Sequence, residues 1–206
     1  MAAVTRPARL GRPPASDGAQ TRARILEAAR TCFVSRGYDQ AAMKDIASAA
    51  GMTAGALYHH FGSKQELFVE VYHRHQESAF AHLEQAAEGS DGFVARLSRL
   101  LDKAADLHGS DPRLAAFTAV ATIELQRHPE LRESVREDAR TVYRFFERLV
   151  EEAGDEIAEP DRPSVVNMLV AMFTGFSVFG ASSRGTAAHR AAIEAFKRTL
   201  ANTLLS

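Results

Sequence analysis

The sequence predicts an all-α chain, and three observations predict it. Apolar residues recur at spacings of three and four along almost the whole length. The breaks between these stretches carry helix punctuation: glycines, prolines, and Ser, Thr or Asp in N-cap positions. Strand-like alternation of useful length is not found, and neither is a repeat period. The pattern resolves into about nine helices. They form an N-terminal three-helix unit and a longer helical body, over a chain of 206 residues.

Residues 1–16 contain small residues, Pro7, Pro13 and Pro14, and only positive charges, so they are expected to form a disordered basic arm. A first helix over about 21–36 buries Ile25, Leu26, Ala29, Cys32 and Phe33, and Gly37 ends it. In residues 43–61, Met43, Ile46, Ala47 and Ala50 make one apolar face of a short second helix. Gly51 then supplies a left-handed turn, and Thr53 is a good N-cap for a third helix held by Leu57 and Phe61. After Gly62, the run Ser63-Lys64-Gln65-Glu66 is a capping box that starts a long fourth helix reaching about Glu88. Further helical segments fall at about 92–107, 113–127, 130–153, 164–183 and 187–204, separated by Gly- and Pro-containing breaks. The expected domains are the arm 1–16, a head 17–66 and a body 67–206.

The second and third helices around Gly51 have the shape of a helix-turn-helix, whose second helix enters the DNA major groove. The same pattern also fits an ordinary helical hairpin. Charge adds a little. Residues 1–64 hold nine Lys/Arg against four Asp/Glu, net +5, and the remainder is net −6, although the whole chain is −1. A basic N-terminal third on an acidic body points to a polyanion meeting only that third.

The string Leu57-Tyr58-His59-His60-Phe61 followed by Ser63-Lys64 and Leu67 resembles the N-terminal domain of TetR-family transcriptional regulators. Thr21 to Ala29, Gly37-Tyr38, Ile46-Ala47 and Ala50-Gly51 extend the resemblance over about residues 20–68. It implies a DNA-binding regulator, by default a repressor. The body would then dimerise and bind a small-molecule ligand, and the partners would be a palindromic double-stranded operator and a second copy of the chain. One departure is that Ala41 and Ala42 stand where relatives often carry a hydroxyl that caps the second helix; Asp45 offers partial compensation.

For the DNA contact, Thr53, Ala54 and Gly55 sit at the N-terminal end of the recognition helix, where small residues let the backbone approach the bases. By resemblance Tyr58 touches phosphate and His59 phosphate or a base, and Lys44 and Lys64 are phosphate candidates. The arm residues Arg6, Arg9 and Arg12, the last within Leu10-Gly11-Arg12-Pro13-Pro14, resemble a minor-groove arginine peptide.

In the body, Phe80, Phe93, Leu97, Leu100 and Phe117 are candidates to line a ligand cavity, as are Ile123, Tyr143, Phe146, Met172 and Phe176. The supply of Phe and Met favours a largely apolar or aromatic ligand. The segment 165–179 is apolar nearly all round, more than one buried face needs. It nominates Val165, Leu169, Phe173 and Gly180, with Ile193, Phe196 and Leu200 of the last helix, for a four-helix dimer interface.

No Gly-rich phosphate loop, His-Glu-x-x-His or cysteine cluster is present, so neither an enzyme, a metal centre nor a cofactor is expected. A helical enzyme and an architectural DNA-binding protein are the remaining alternatives. The single Cys32 fits a reducing compartment. No signal peptide or stretch of membrane-spanning apolar length is recognised, and the expected location is cytoplasmic.

Overall fold

In a computed structural model, the structure describes residues 14–89, 92–181 and 185–204. The described residues form ten α-helices, two short 3-10 turns and no strand. The head comprises α1 (Pro14–Gln40), α2 (Met43–Ala49) and α3 (Ala54–His60). A long α4 (Lys64–Ala87) leads from it into α5 (Phe93–Ser110) and α6 (Pro112–Arg127). The body continues through α7 (Pro129–Ser134), α8 (Arg136–Glu151), α9 (Arg162–Gly180) and α10 (Gly185–Leu204).

Two boundaries differ from the sequence expectation. Helix α1 starts at Pro14, so residues 14–16 of the expected arm are helical. Proline in the first turn costs nothing there, because that N–H has no intrahelical partner. The single helix expected over 130–153 is two, broken at Val135 (φ −106°, ψ 17°), which brings the count to ten. The break has a packing cause. Leu131 is buried in one cluster with Leu67 and Phe68 of α4, whereas α8 buries Phe145, Phe146, Leu149 and Val150 with α9 as a neighbour. One straight helix cannot present both faces. Helix α1 breaks at Gly37 as expected, with φ 73° and ψ 175°.

The capping box at α4 forms with a shift. The Ser63 hydroxyl accepts from the Glu66 amide at 3.0 Å, and the Glu66 carboxylate accepts from Gly62 N at 2.9 Å instead of from Ser63. Side chains pack into two cores. The first joins α1–α4 with Phe117 and Ala121 of α6 and Leu131 of α7. Phe68 is its centre, with ring centroids 5.1 Å from Phe33, 5.3 Å from Tyr38 and 5.9 Å from Phe117. The second joins Leu83 of α4 with α5, α8, α9 and α10. The head therefore has no core of its own, since α6 is part of it.

Helix α9 corrects one expectation. The 22-residue segment Glu159–Gly180, at mean hydropathy 1.5, has the length and composition to cross a membrane, and 11 % of that window is buried in the protomer. Val166 and Leu169 face the body core, while Met168, Val178 and Phe179 are exposed.

Candidate nucleic-acid interface and cavity

The turn between α2 and α3 is built from backbone hydrogen bonds. Met52 N donates to Ala47 O at 2.9 Å and Gly51 N to Ser48 O at 3.1 Å, the paired bonds of a Schellman motif, with Gly51 at φ 69°. Ala42, as expected, gives α2 no side-chain cap, and Asp45 in its first turn instead accepts from Arg36 of α1. Thr53 caps α3: its hydroxyl accepts from Ala56 N at 3.2 Å. Leu57, fully buried, fastens α3 to the head.

What remains of α3 faces outward. Gly55, Ala56, Tyr58, His59 and His60 are exposed, with Tyr58 at 51 %. Ala54 is half-buried against the head core, so it offers less to a groove than Gly55. Lys44 on α2 is exposed on the same unit and has no ion-pair partner among the described residues. Lys64 is differently placed. Its ammonium donates to Tyr38 O at 2.8 Å and Asp39 O at 3.0 Å and lies 4.5 Å from the Tyr38 ring centroid. It clamps the end of α1 first and has one N–H left for a phosphate. Arg6, Arg9 and Arg12 lie outside the described residues.

Between the helices of the body lies a cavity of about 240 Å³. Of the expected lining residues, Phe80, Tyr143 and Phe146 are there. The others are not. Phe93, Leu97 and Leu100 are close-packed in the second core, and Phe117 belongs to the first. Ile123 is 56 % exposed on the outer side of α6, and Met172 and Phe176 pack on the second core. Helical spacing marks these as apolar positions but does not distinguish a packed neighbour from a cavity wall.

Sequence reasoning missed the polar part of the lining: Tyr72, His75, Gln76, Thr118, Thr122, Thr174, Ser177 and His108. A signal existed. His75 continues the Leu67–Val71 stripe of α4 at i+4, a polar residue on an otherwise buried face. Burial, helped by the nearby Arg30 and His108, lowers the His75 pKa to about 4, so it is neutral at pH 7. His75 Nε2 lies 2.8 Å from Thr118 Oγ1, whose hydroxyl also reaches Leu114 O at 3.2 Å. Both contacts are satisfied when the hydroxyl donates to Leu114 and His75 donates from Nε2. Nδ1 is then a buried acceptor, and it has no protein partner. His108 is likewise held near 4 by burial and by His189, whose Nε2 is 3.2 Å from His108 Nδ1. Burial raises the Tyr72 phenol to about 12, keeping it a neutral hydroxyl.

The expected dimer residues turn inward. Leu169 and Ile193 are fully buried inside the protomer, and Val165, Phe173, Phe196 and Leu200 pack on the same core. Gly180 makes room within the chain: a Cβ there would sit 3.1 Å from the His189 ring. The exposed apolar face is a different one, with Met168, Ala171, Gly175, Val178 and Phe179 on α9 and Ala187, Ala191 and Ala195 on α10.

Two polar clamps join head to body. Arg30 of α1 bridges Glu27 at 2.8 Å and Asp111 at 3.1 Å, and Arg113 pairs with the same two carboxylates. At the other end of α1, Glu124 of α6 accepts the Tyr38 N–H at 3.0 Å.

Comparison with known proteins agrees with this geometry. Residues 25–71 match the family model for bacterial regulatory proteins, tetR family. Residues 93–205 match that for the BetI-type transcriptional repressor, C-terminal. The chain is 37 % identical over 87 residues to the HTH-type transcriptional repressor AcnR of Corynebacterium jeikeium (strain K411), which covers 42 % of this chain and 45 % of that protein. It is 42 % identical over 69 residues to the HTH-type transcriptional regulator UidR of Escherichia coli (strain K12), 34 % of this chain and 35 % of that one. The matched segment thus spans less than half the length of these curated relatives. Among solved structures, Salmonella enterica GusR aligns with a TM-score of 0.75 at 27 % identity, over 96 % of this chain and 99 % of that one. A putative transcriptional regulator from Saccharomonospora viridis in complex with choline shares the fold, with a TM-score of 0.69 at 21 % identity over 86 % and 95 %.

Proposed function

Because the chain belongs to the tetR family of bacterial regulatory proteins, we propose that it is a transcriptional repressor, not an enzyme, released from a palindromic operator by a small ligand. The observation that carries the DNA contact is the outward face of α3. This helix is anchored by Leu57 and capped by Thr53, and it leaves Gly55, Tyr58 and His59 exposed, with Lys44 exposed on α2 of the same unit. A short helix fixed at its base and small at its N-terminal end can lie against base edges. Tyr58 donates to phosphate, and Lys44 adds charge. Neither is a base reader, so affinity carries a strong salt dependence. The arm with Arg6, Arg9 and Arg12 adds minor-groove charge, and deleting it lowers the salt slope.

One short reading helix buries too little DNA for specificity, so two copies act across two half-sites. The exposed α9–α10 face supports that pairing. Small residues at Ala171, Gly175, Ala187, Ala191 and Ala195 allow close helix approach, and Met168, Val178 and Phe179 supply apolar area. In a dimer this face leaves water, which accounts for the hydropathy of α9.

The cavity supports a small effector, being somewhat below the roughly 300–1000 Å³ usual for ligand sites. Its apolar walls, among them Leu83, Val142, Phe146 and Phe173, take an apolar body. The bare His75 Nδ1 asks for one hydrogen-bond donor on that body. Two helices carry the signal. Helix α4 lines the cavity from Tyr72 to Leu83 and packs in the head at Leu67 and Phe68. Helix α6 lines it at Thr118 and Thr122 and holds the end of α1 through Glu124. A ligand that favours one setting of these helices shifts the population of head orientations that fit the operator.

The test is fluorescence anisotropy with genomic fragments flanking the gene, against random competitor at moderate ionic strength. A palindromic fragment bound at least tenfold more tightly than competitor, with the preference lost in Tyr58→Ala, supports the reading. Equal binding of all fragments refutes it.

A further inference from the structure

The seam between head and body holds a cluster that the regulator reading does not use. Asp39 lies in the last turn of α1, and Glu124 and His128 lie one turn apart at the end of α6. One donor atom from each falls within 4.8 Å of the others. His128 Nε2 is 3.2 Å from Asp39 Oδ1 and 3.5 Å from Glu124 Oε2. Ligands about 2.0–2.1 Å from a tetrahedral metal are separated by roughly 3.3–3.4 Å, which these distances match.

Two further observations point to a cation. Glu124 has a side chain only 6 % exposed, and its Oε2 is buried with no hydrogen-bond partner; His128 Nε2 beside it is likewise buried and makes no hydrogen bond. The other ring nitrogen, Nδ1, lies 3.2 Å from Glu130 Oε1, so a carboxylate fixes the imidazole from behind while Nε2 sits beside Asp39 and Glu124. This is the carboxylate–histidine arrangement that orients an imidazole toward a metal. The surroundings are set as well. Glu124 Oε1 is held by Tyr38 N at 3.0 Å, and the Tyr38 ring packs edge-on against His128 at 5.0 Å.

We propose that Asp39, Glu124 and His128 bind one divalent transition-metal ion of the Zn²⁺ class across the head–body seam, with Glu130 as the positioning residue. The donor set of one imidazole and two carboxylates suits Zn²⁺, with water as the fourth ligand. Arg127 lies 3.3 Å from Asp39 Oδ2 and 3.9 Å from Glu124 Oε2 and competes for the same charge. Its side chain is 60 % exposed, so it gives way to solvent at little cost when a dication arrives. On the regulator reading above, the bound ion ties the end of α1 to the end of α6 and holds the head in one setting. Operator affinity is then sensitive to the metal.

The experiment uses untagged full-length protein stripped with a chelator, then dialysed against Zn²⁺ with metal analysis, and against Co²⁺ with visible absorption. The expected result is one Zn²⁺ per chain, a visible Co²⁺ band, and a melting temperature that rises with Zn²⁺. His128→Gln and Asp39→Asn abolish the band, and Glu130→Gln weakens binding about 10- to 100-fold. Asp39 is exposed, so Asp39→Asn tests the site even where His128→Gln disturbs packing. No stoichiometric Zn²⁺ on the wild type, or Zn²⁺ held equally by Asp39→Asn, overturns the proposal. Neither result decides whether the metal-free protein recognises an operator, which is measured separately.

Discussion

Replacing Gly37 by Ala tests the head–body seam most directly. Gly37 sits at φ 73°, ψ 175°, a region open almost only to glycine, and a side chain forced there costs about 1–3 kcal/mol. Space adds a second cost. A Cβ at position 37 would lie 2.6 Å from Glu124 Oε1, well inside contact distance. A carboxylate at the end of a free side chain would swing away. This one is buried and accepts the Tyr38 N–H at 3.0 Å. Moving it leaves that amide unpaired in the interior, worth about 1–3 kcal/mol more. The sum is about 2–6 kcal/mol, and at about 2–4 °C per kcal/mol for a chain of this size the melting temperature falls by roughly 4–24 °C. Gly51→Ala is the control: Gly51 is also at positive φ, 69°, but an added Cβ meets nothing within 4 Å. It should lose only about 1–2 kcal/mol. Thermal denaturation followed by circular dichroism reads both. Equal losses in the two variants would refute the argument that Glu124 is fixed against the end of α1.

Thr53→Ala removes the side-chain N-cap of α3, so the head loses about 1 kcal/mol and operator affinity drops; anisotropy titration with unchanged affinity would remove the cap from the reading mechanism. Met168→Glu puts a charge in the exposed α9 face, and light scattering should show the proposed dimer for the wild type and a monomer for the variant; a persistent dimer in the variant would place the interface elsewhere. Acid should destabilise the fold through His75. Its folded pKa of about 4 lies below the ordinary value of 6.5, so the unfolded chain binds the proton first. This stability is complete above pH 6.5 and is lost as pH falls toward 4. At pH 5 the loss is about 2 kcal/mol from this group. Urea unfolding of His75→Leu should therefore change about 2 kcal/mol less between pH 7 and pH 5 than the wild type does, and an identical change would show that His75 titrates normally.

Local chemistry made the head legible in the sequence. Gly51 as a left-handed turn, Thr53 as an N-cap, Ser63 and Glu66 as a capping pair, and Leu57 as an anchor each depend on residues within four positions of one another. Such interactions hold whatever the rest of the chain does. The long-range seam was not legible. Glu124 sits on an apolar helix and its partner amide at Tyr38 is far away in sequence, so nothing in the local pattern marks it. The lysine at 64 read as a free cation, because its use on Tyr38 and Asp39 carbonyls depends on how α4 meets α1.

The body shows the same division. Periodicity determined that α9 and α10 are helices and that α9 is apolar on more than one side. Only packing decided which side turns inward. Leu169 and Ile193 went to the protomer core, and the smaller Ala171, Gly175, Ala191 and Ala195 were left on the outside. The cavity likewise exists because Phe93, Leu97 and Leu100 close-pack elsewhere, leaving His75, Thr118 and Ser177 to face the gap. Helical spacing repeats every turn and fixes direction around one axis. Which neighbour stands in that direction depends on all the other helices at once, and that information is spread over the whole chain.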